Sequence, residues 1–271
     1  MDIFIRVLNP IIMIILGLAA GVIVSRQGNA KWNLYGIGAL TFVGSQILHI
    51  PFNAWVLNPA LEELPGTLPL RGGNLIIVAL GLGLSAGVFE EVSRYVVFRF
   101  GIKDARSWKD ALMFGAGHGG IEAILLGGLT LFSVMQIISL TEQDLSSIIP
   151  GEQLTLAEAQ ITAFWALPWY GVLLGARERL IALIFHVSAS VLVLQVFQRN
   201  NIAWLFAAIF LHTSINAIAV YGSQTWGIFL TEGALALFSL LCFGIIFVFR
   251  TKNPIIKMSR PKLYRFQNSN L

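Results

Sequence analysis

Residues 75–101 read LIIVALGLGLSAGVFEEVSRYVVFRFG, and this stretch decides the fold because charged residues follow an uncharged apolar run without a break. The whole stretch is long enough for a bilayer-spanning helix, which needs about 20 mostly apolar residues. Its second half nevertheless carries Glu90, Glu91 and Arg94. Charged side chains at bilayer depth are costly unless they are paired, protonated or hydrated, so such residues mark candidate functional sites.

The composition identifies the class of protein. The chain has 271 residues, of which 56% are hydrophobic and 12% are charged, whereas soluble domains carry about 25% charged residues. Open sheet edges cannot face lipid, and the apolar runs are too long and too uniform for barrel strands. We therefore predict an all-α fold, a polytopic transmembrane bundle of seven or eight helices with a polar interior cavity.

The apolar runs predict where the helices cross the membrane. They fall near residues 10–25, 34–58, 74–98, 111–140, 161–176, 180–197, 202–222 and 227–249. The run at 161–176 contains Pro168, Trp169 and Tyr170, which indicates an interfacial or broken helix and favours seven spans over eight. We predict one integral-membrane domain over residues 1–271, with a motif core at 90–216 and a basic tail at 250–271.

Charge in the loops predicts the orientation. The loop at 99–110 is rich in Arg and Lys and is expected in the cytoplasm, while the loop at 142–160 carries only acids and is expected outside. With seven spans the basic tail lies inside, where anionic lipid is a more typical partner than nucleic acid. We therefore expect the lipid bilayer as a partner and no nucleic acid. The single cysteine, Cys242, excludes an internal disulfide framework and a cysteine-built zinc site.

Polar residues inside the apolar runs predict a site. All four histidines lie within or at the edge of these runs: His49, His118, His186 and His212. Three pairs are spaced four residues apart, and such residues share one helix face: Glu90 with Arg94, His118 with Glu122, and His212 with Asn216. Three helices thus each present a polar face that must point into the bundle.

The predicted depths of these residues agree. Glu90 lies nine residues before Arg99, and His118 lies eight residues after Asp110. At 1.5 Å per residue both side chains lie roughly 12–14 Å from the same cytoplasmic edge. Glu122 is expected to orient His118 or to make another polar contact, and Arg94 is expected to contact Glu90 or Glu91 because an unpaired guanidinium in the membrane is costly. His49 is more typical of helix packing or of the interface, and His186 fits a packing role and a site role equally well.

The order of these motifs resembles a known superfamily. EEVSR (90–94), FGAGH (114–118), the isolated His186 and HTSIN (212–216) look like the motifs of the glutamic-type intramembrane proteases. That group includes the CAAX-processing (CPBP) endopeptidases, the PrsW-like proteases and the scaffold subunit of gamma-secretase. FGAGHGGIEA together with SQILHIPFN most resembles the YhfC branch. The first motif is EExxR here, closer to the PrsW-like form than to the EExxxR of the CAAX endopeptidases.

The resemblance implies roles for individual residues. Glu90 would be the water-activating base and His118 its partner, while His212 and Asn216 would stabilise the oxyanion; Glu91, Arg94, Glu122 and His186 would support them. It implies an intramembrane endopeptidase that hydrolyses a membrane-embedded or lipid-anchored peptide in the plasma membrane of a bacterium. A non-catalytic membrane scaffold and a Glu/His proton-coupled transporter are the alternatives.

A metal-dependent variant uses the same residues. His118, His186 and His212 with Glu90 or Glu122 would supply the ligand types of a zinc site with an open water position. The sequence contains no HExxH motif, so only the residue types support this variant, not their spacing. We therefore expect no cofactor, with zinc as the alternative.

Overall fold

The prediction of an all-helical protein is confirmed. A computed structural model of the chain describes residues 2–26, 31–63 and 72–250, and no β-strand occurs within these ranges. The helices are α1 (Asp2–Arg26), α2 (Trp32–Phe52), α3 (Asn58–Glu62), α4 (Gly72–Val96), α5 (Trp108–Thr141), α6 (Gly151–Ala166), α7 (Trp169–Val172), α8 (Leu174–Gln198), α9 (Ala203–Thr225) and α10 (Ile228–Val248). Two π-helical turns, Asn53–Leu57 and Val97–Gly101, join α2 to α3 and extend α4.

Within the described ranges, seven helical segments are long and apolar enough to cross a membrane. These are Ile3–Arg26, Trp32–Glu62, Gly73–Gly101, Trp108–Thr141, Trp169–Gln198, Ala203–Thr225 and Ile228–Val248. The chain is therefore an integral membrane protein.

The ambiguous run at 161–176 does not form a span of its own. Helix α6 ends at Ala166, Leu167 and Pro168 are extended, and the fifth span begins at Trp169. Proline has no backbone N–H and disfavours the helical conformation in the residue before it, which explains the break. This break supports seven spans rather than eight.

Seven spans set the sides of the loops. The basic loop between the third and fourth spans lies on the same side as Arg199 and as Arg250, where the described part of the chain ends. The acidic residues Glu142, Asp144 and Glu158 lie on the opposite side. The positive-inside rule predicts that the first side is cytoplasmic. The tail predicted at 250–271 falls, beyond Arg250, outside the described residues.

Helix α5 is the centre of the bundle. It packs against α1, α2 and α8, while α4 packs mainly against α9. The contact between α2 and α5 depends on glycine, because a Cβ atom at Gly38 would overlap the backbone of Phe114 and one at Gly117 would overlap the backbone of Tyr35. This close approach holds α2 against the half of α5 that carries His118.

Replacing glycine by alanine at two positions of α5 is expected to have opposite effects on the stability of the protein. Gly117→Ala should destabilise the protein by about 1–3 kcal/mol, because the new methyl group overpacks against the backbone of Tyr35. Gly128→Ala is the control, because no atom lies within 4 Å of its Cβ position; alanine there should stabilise the helix by roughly 0.5–1 kcal/mol. Thermal melting of both variants in one detergent checks this, and equal shifts would contradict the described packing.

Candidate active site

Four helices bring the predicted polar residues together at one depth. Glu90 lies on α4, His118 on α5, His186 on α8 and His212 on α9. Each lies roughly three helical turns from the cytoplasmic end of its span. All four are buried, with at most 7% of the side chain exposed. The matched depth predicted from the sequence for Glu90 and His118 corresponds to direct contact between them.

The carboxylate of Glu90 accepts hydrogen bonds from two other helices. Gln46 of α2 donates through Nε2 to Oε1 (3.1 Å), and His118 donates through Nε2 to Oε2 (3.0 Å). Arg94 Nη2 lies 3.6 Å from Oε2, and His186 Nδ1 lies 4.0 Å from it. Both oxygens of the buried carboxylate therefore have partners that favour its negative charge.

The second glutamate forms the stronger ion pair. Glu91 accepts two hydrogen bonds from Arg94 Nη1, at 2.7 and 2.9 Å, and a third from His212 Nδ1 at 2.8 Å. Neither Glu91 nor Arg94 is exposed. The predicted contact of Arg94 with Glu90 or Glu91 is confirmed, and its close partner is Glu91. Residues three apart also share a helix face, so the four-residue spacing alone does not decide the partner.

Glu122 contacts His186 and not His118. Its carboxylate accepts from His186 Nε2 and from Arg179 Nη1, which both lie on α8. Arg94 Nη2 donates to the other ring nitrogen, His186 Nδ1, at 2.7 Å. The ring of His186 is therefore fixed from both sides. Of the two expected roles, the polar contact with a residue other than His118 is the one observed, because the side chain projects toward α8.

A cavity of about 150 Å³ adjoins the cluster. Its polar lining residues are Glu90, Glu122, Glu178, Arg179, His186, His212 and Asn216. The predicted interior cavity is thus present, with Glu90, His186 and His212 in its wall. His118 does not line it; this fully buried ring lies behind Glu90 and packs against Phe42 and Phe114. Among the described residues, His118 therefore contacts Glu90 and not the cavity itself.

Comparison with known proteins shows to which family the chain belongs. Residues 12–235 match the family described as YhfC intramembrane metalloprotease. The chain is also 33% identical over 208 residues to the uncharacterized membrane protein YhfC of Bacillus subtilis (strain 168), which covers 75% of this chain and 79% of that protein. The chain belongs to the YhfC family. No solved structure matches it significantly.

The family description contains the word metalloprotease. The side chains of this YhfC-family chain include a set of donor atoms that fits a metal ion. Glu90, His118 and His186 each offer a ligand atom, and these atoms lie within 4.8 Å of one another. Two histidines and one glutamate are a known ligand set of zinc peptidases. The contact of Glu122 with the second nitrogen of His186 matches the usual carboxylate support of a metal-bound histidine. His212, expected among the ligands, contacts Glu91 instead.

Two residues of the YhfC-family site were not predicted. Gln46 reaches Glu90 from α2, and Arg179 reaches Glu122 from α8. Gln46 is a polar residue inside an apolar run, four turns into its helix. A polar residue in an apolar run is the same signal that identified the histidines. His49, expected in a packing role, contacts Gln46 Oε1 through Nδ1 at 3.2 Å. It lies two hydrogen bonds away from the Glu90 carboxylate.

Proposed function

We propose that this protein is an intramembrane endopeptidase that hydrolyses a peptide bond of a membrane-embedded or lipid-anchored substrate. One observation carries the proposal: the buried Glu90–His118 pair, 3.0 Å apart, stands beside a polar cavity among spanning helices. The family description supports the protease class. The resemblance of the motifs to glutamic-type intramembrane proteases supports Glu90 as the base.

The proposed reaction begins with a water molecule in the cavity next to Glu90. Glu90 accepts a proton from this water, and the resulting hydroxide forms a bond to the carbonyl carbon of the substrate. The protonated Glu90 then gives the proton to the amide nitrogen as the C–N bond breaks. The products are a carboxylic acid and an amine, and Glu90 returns to its ionised form. General-base catalysis of this kind contributes about 10²–10⁴-fold to the rate.

The oxyanion that forms in this reaction needs hydrogen-bond donors. His212 and Asn216 both line the cavity on α9. Glu91 accepts from His212 Nδ1, which leaves Nε2 for the cavity, where it donates to the oxyanion when the ring carries both protons. The Asn216 amide supplies a second donor. One such donor contributes about 10²–10³-fold to the rate.

A divalent metal would be held by Glu90, His118 and His186, whose donor atoms fit it in kind and spacing. When bound there, it would polarise the carbonyl group and make a bound water more acidic. Arg94, however, already donates to His186 Nδ1 and lies 3.6 Å from Glu90. Because the guanidinium supplies the positive charge next to these ligand atoms, we propose the metal-independent, glutamic-type reaction.

Cleavage is therefore expected to continue after metal removal. Purified protein would be incubated with a library of membrane-anchored peptides, with and without a strong chelator, and products detected by mass spectrometry. We expect the same products at similar rates and less than one metal ion per chain by elemental analysis. One tightly bound metal per chain that His118→Ala removes, together with loss of cleavage in the chelator, would contradict the glutamic-type reaction and support the metal-dependent one.

A further inference from the structure

A line of hydrogen-bonded side chains leads from Glu90 along α2. Gln46, His49 and Asn53 lie on one face of the helix, at the spacing of residues three and four apart. Gln46 Nε2 contacts Glu90 Oε1 at 3.1 Å, Gln46 Oε1 contacts His49 Nδ1 at 3.2 Å, and His49 Nε2 contacts Asn53 Nδ2 at 3.0 Å. Ser85 of α4 donates to Asn53 Oδ1 at 2.6 Å. The line begins and ends on α4.

The chemistry of these groups allows one arrangement of protons. An ionised carboxylate only accepts, so Gln46 must present its NH₂ group to Glu90 and its carbonyl oxygen to His49. His49 must then carry its proton on Nδ1 and accept from Asn53 at Nε2. Asn53 Oδ1 is left to accept from Ser85. The hydrogen bonds along the line all run toward Glu90, and Gln46 Nε2 also donates to Ser45 Oγ at 3.3 Å. In the other tautomer of His49, Nε2–H would face the N–H group of Asn53 and the unprotonated Nδ1 would face the oxygen of Gln46.

Two further features involve residues of this line: the ring packing of His49 and the backbone at Asn53. The ring of His49 stacks on Phe89, with centroids 5.5 Å apart and planes 29° from parallel. Asn53 is the first residue of the π-helical turn Asn53–Leu57, and π-helical turns within helices occur frequently at functional sites. Gln46 itself does not line the cavity described above. It therefore contacts the base without contacting a substrate there.

We propose that Gln46, locked by His49 and Asn53, is a positioning residue that orients the Glu90 carboxylate and offers it only an N–H group. Once Glu90 carries the proton taken from water, a free glutamine amide could rotate by 180° and present its oxygen to Glu90. His49 prevents this rotation because its Nδ1–H needs the Gln46 oxygen. Together with His118 on the other oxygen, the locked amide fixes the plane of the carboxylate. This inference rests on the proposed peptidase function.

Steady-state kinetics on variants of the full-length protein test the role. Gln46→Leu is expected to lower kcat by about 10–100-fold, the usual effect of losing a group that supports an active-site residue, with KM nearly unchanged. His49→Phe keeps the ring on Phe89 but removes the lock, and should lower kcat in the same way. His49→Asn places an amide N–H where Nδ1 stood and should restore most of kcat. Gln136→Leu, at an exposed glutamine of α5, is the matched control.

A spectroscopic measurement decides the inference without an activity assay. Nitrogen-15 NMR of the histidine rings, with the His49 signal assigned by its loss in His49→Phe, reports the tautomer of the wild-type protein. We expect Nδ1–H. An Nε2–H tautomer, or a kcat of Gln46→Leu within twofold of the wild-type value, would overturn the proposal. A wild-type protein that cleaves no peptide would overturn the proposed function, while the tautomer would still decide whether the amide of Gln46 is locked.

Discussion

Replacing Glu90 by glutamine is expected to reduce peptide cleavage by about 10²–10⁴-fold, to background, while the helix bundle remains folded. Glutamine has the same shape and fills the same volume between Gln46 and His118, but it does not accept a proton from water. The assay measures cleavage of a membrane-anchored peptide, and thermal melting of the same sample measures folding. A variant that cleaves at the wild-type rate would contradict the assignment of the base.

Glu91→Gln is the matched variant, because it makes the same chemical change at the adjacent residue. Glu91 does not line the cavity and accepts from Arg94 and His212. Its loss should leave measurable turnover and lower the melting temperature more than Glu90→Gln does. Such results would give the two adjacent glutamates different functions: Glu90 acts on water, and Glu91 balances a buried cation. An inactive Glu91→Gln beside an active Glu90→Gln would reverse the assignment.

Arg94→Ala is expected to cause the largest loss of stability. It leaves the unexposed carboxylate of Glu91 without its cation, and breaking a buried ion pair from one side costs about 3–5 kcal/mol. It also removes the donor to His186 Nδ1, so activity should fall too. Melting in detergent measures the effect, with Arg99→Ala, exposed near the cytoplasmic end of the same span, as the control.

A double variant separates the effect of charge on stability from the effect of packing. Glu91→Leu combined with Arg94→Leu removes both charges, and exchange of a buried ion pair for apolar residues is often neutral or stabilising. The double variant should therefore melt at a higher temperature than Arg94→Ala, without recovering activity. Arg94→Ala with an unchanged melting temperature would show that the ion pair does not stabilise the bundle.

The helices and the location of the site could be predicted from the sequence because both depend on local patterns. The bilayer requires long apolar helices, so runs of apolar residues identify the spans. Charged and histidine side chains in those runs must avoid lipid, so they point to a common interior. Glu90, His118, His186 and His212 were found in this way, and they do meet in one cluster.

The contacts between helices could not be predicted, because they depend on the rotation and separation of helices distant in sequence. The contact of Arg94 with Glu90 or Glu91 lies within one helix and was predicted, whereas the position of His212 on α9, which favours Glu91, was not. Glu122 turns to α8, whose arginine and histidine are 57 and 64 residues away. Gln46 has no charge, so its importance becomes visible only once α2 lies beside Glu90.

The most direct test of the account is isotopic analysis of the cleavage products. The purified protein would cut a membrane-anchored peptide in water enriched in oxygen-18, and mass spectrometry would examine the new C-terminus. We predict one oxygen-18 atom in the new carboxyl group with the wild-type protein and no product above background with Glu90→Gln. A wild-type protein that binds the peptide without cutting it, or labelled product formed at the wild-type rate by Glu90→Gln, would contradict hydrolysis by a water held at Glu90.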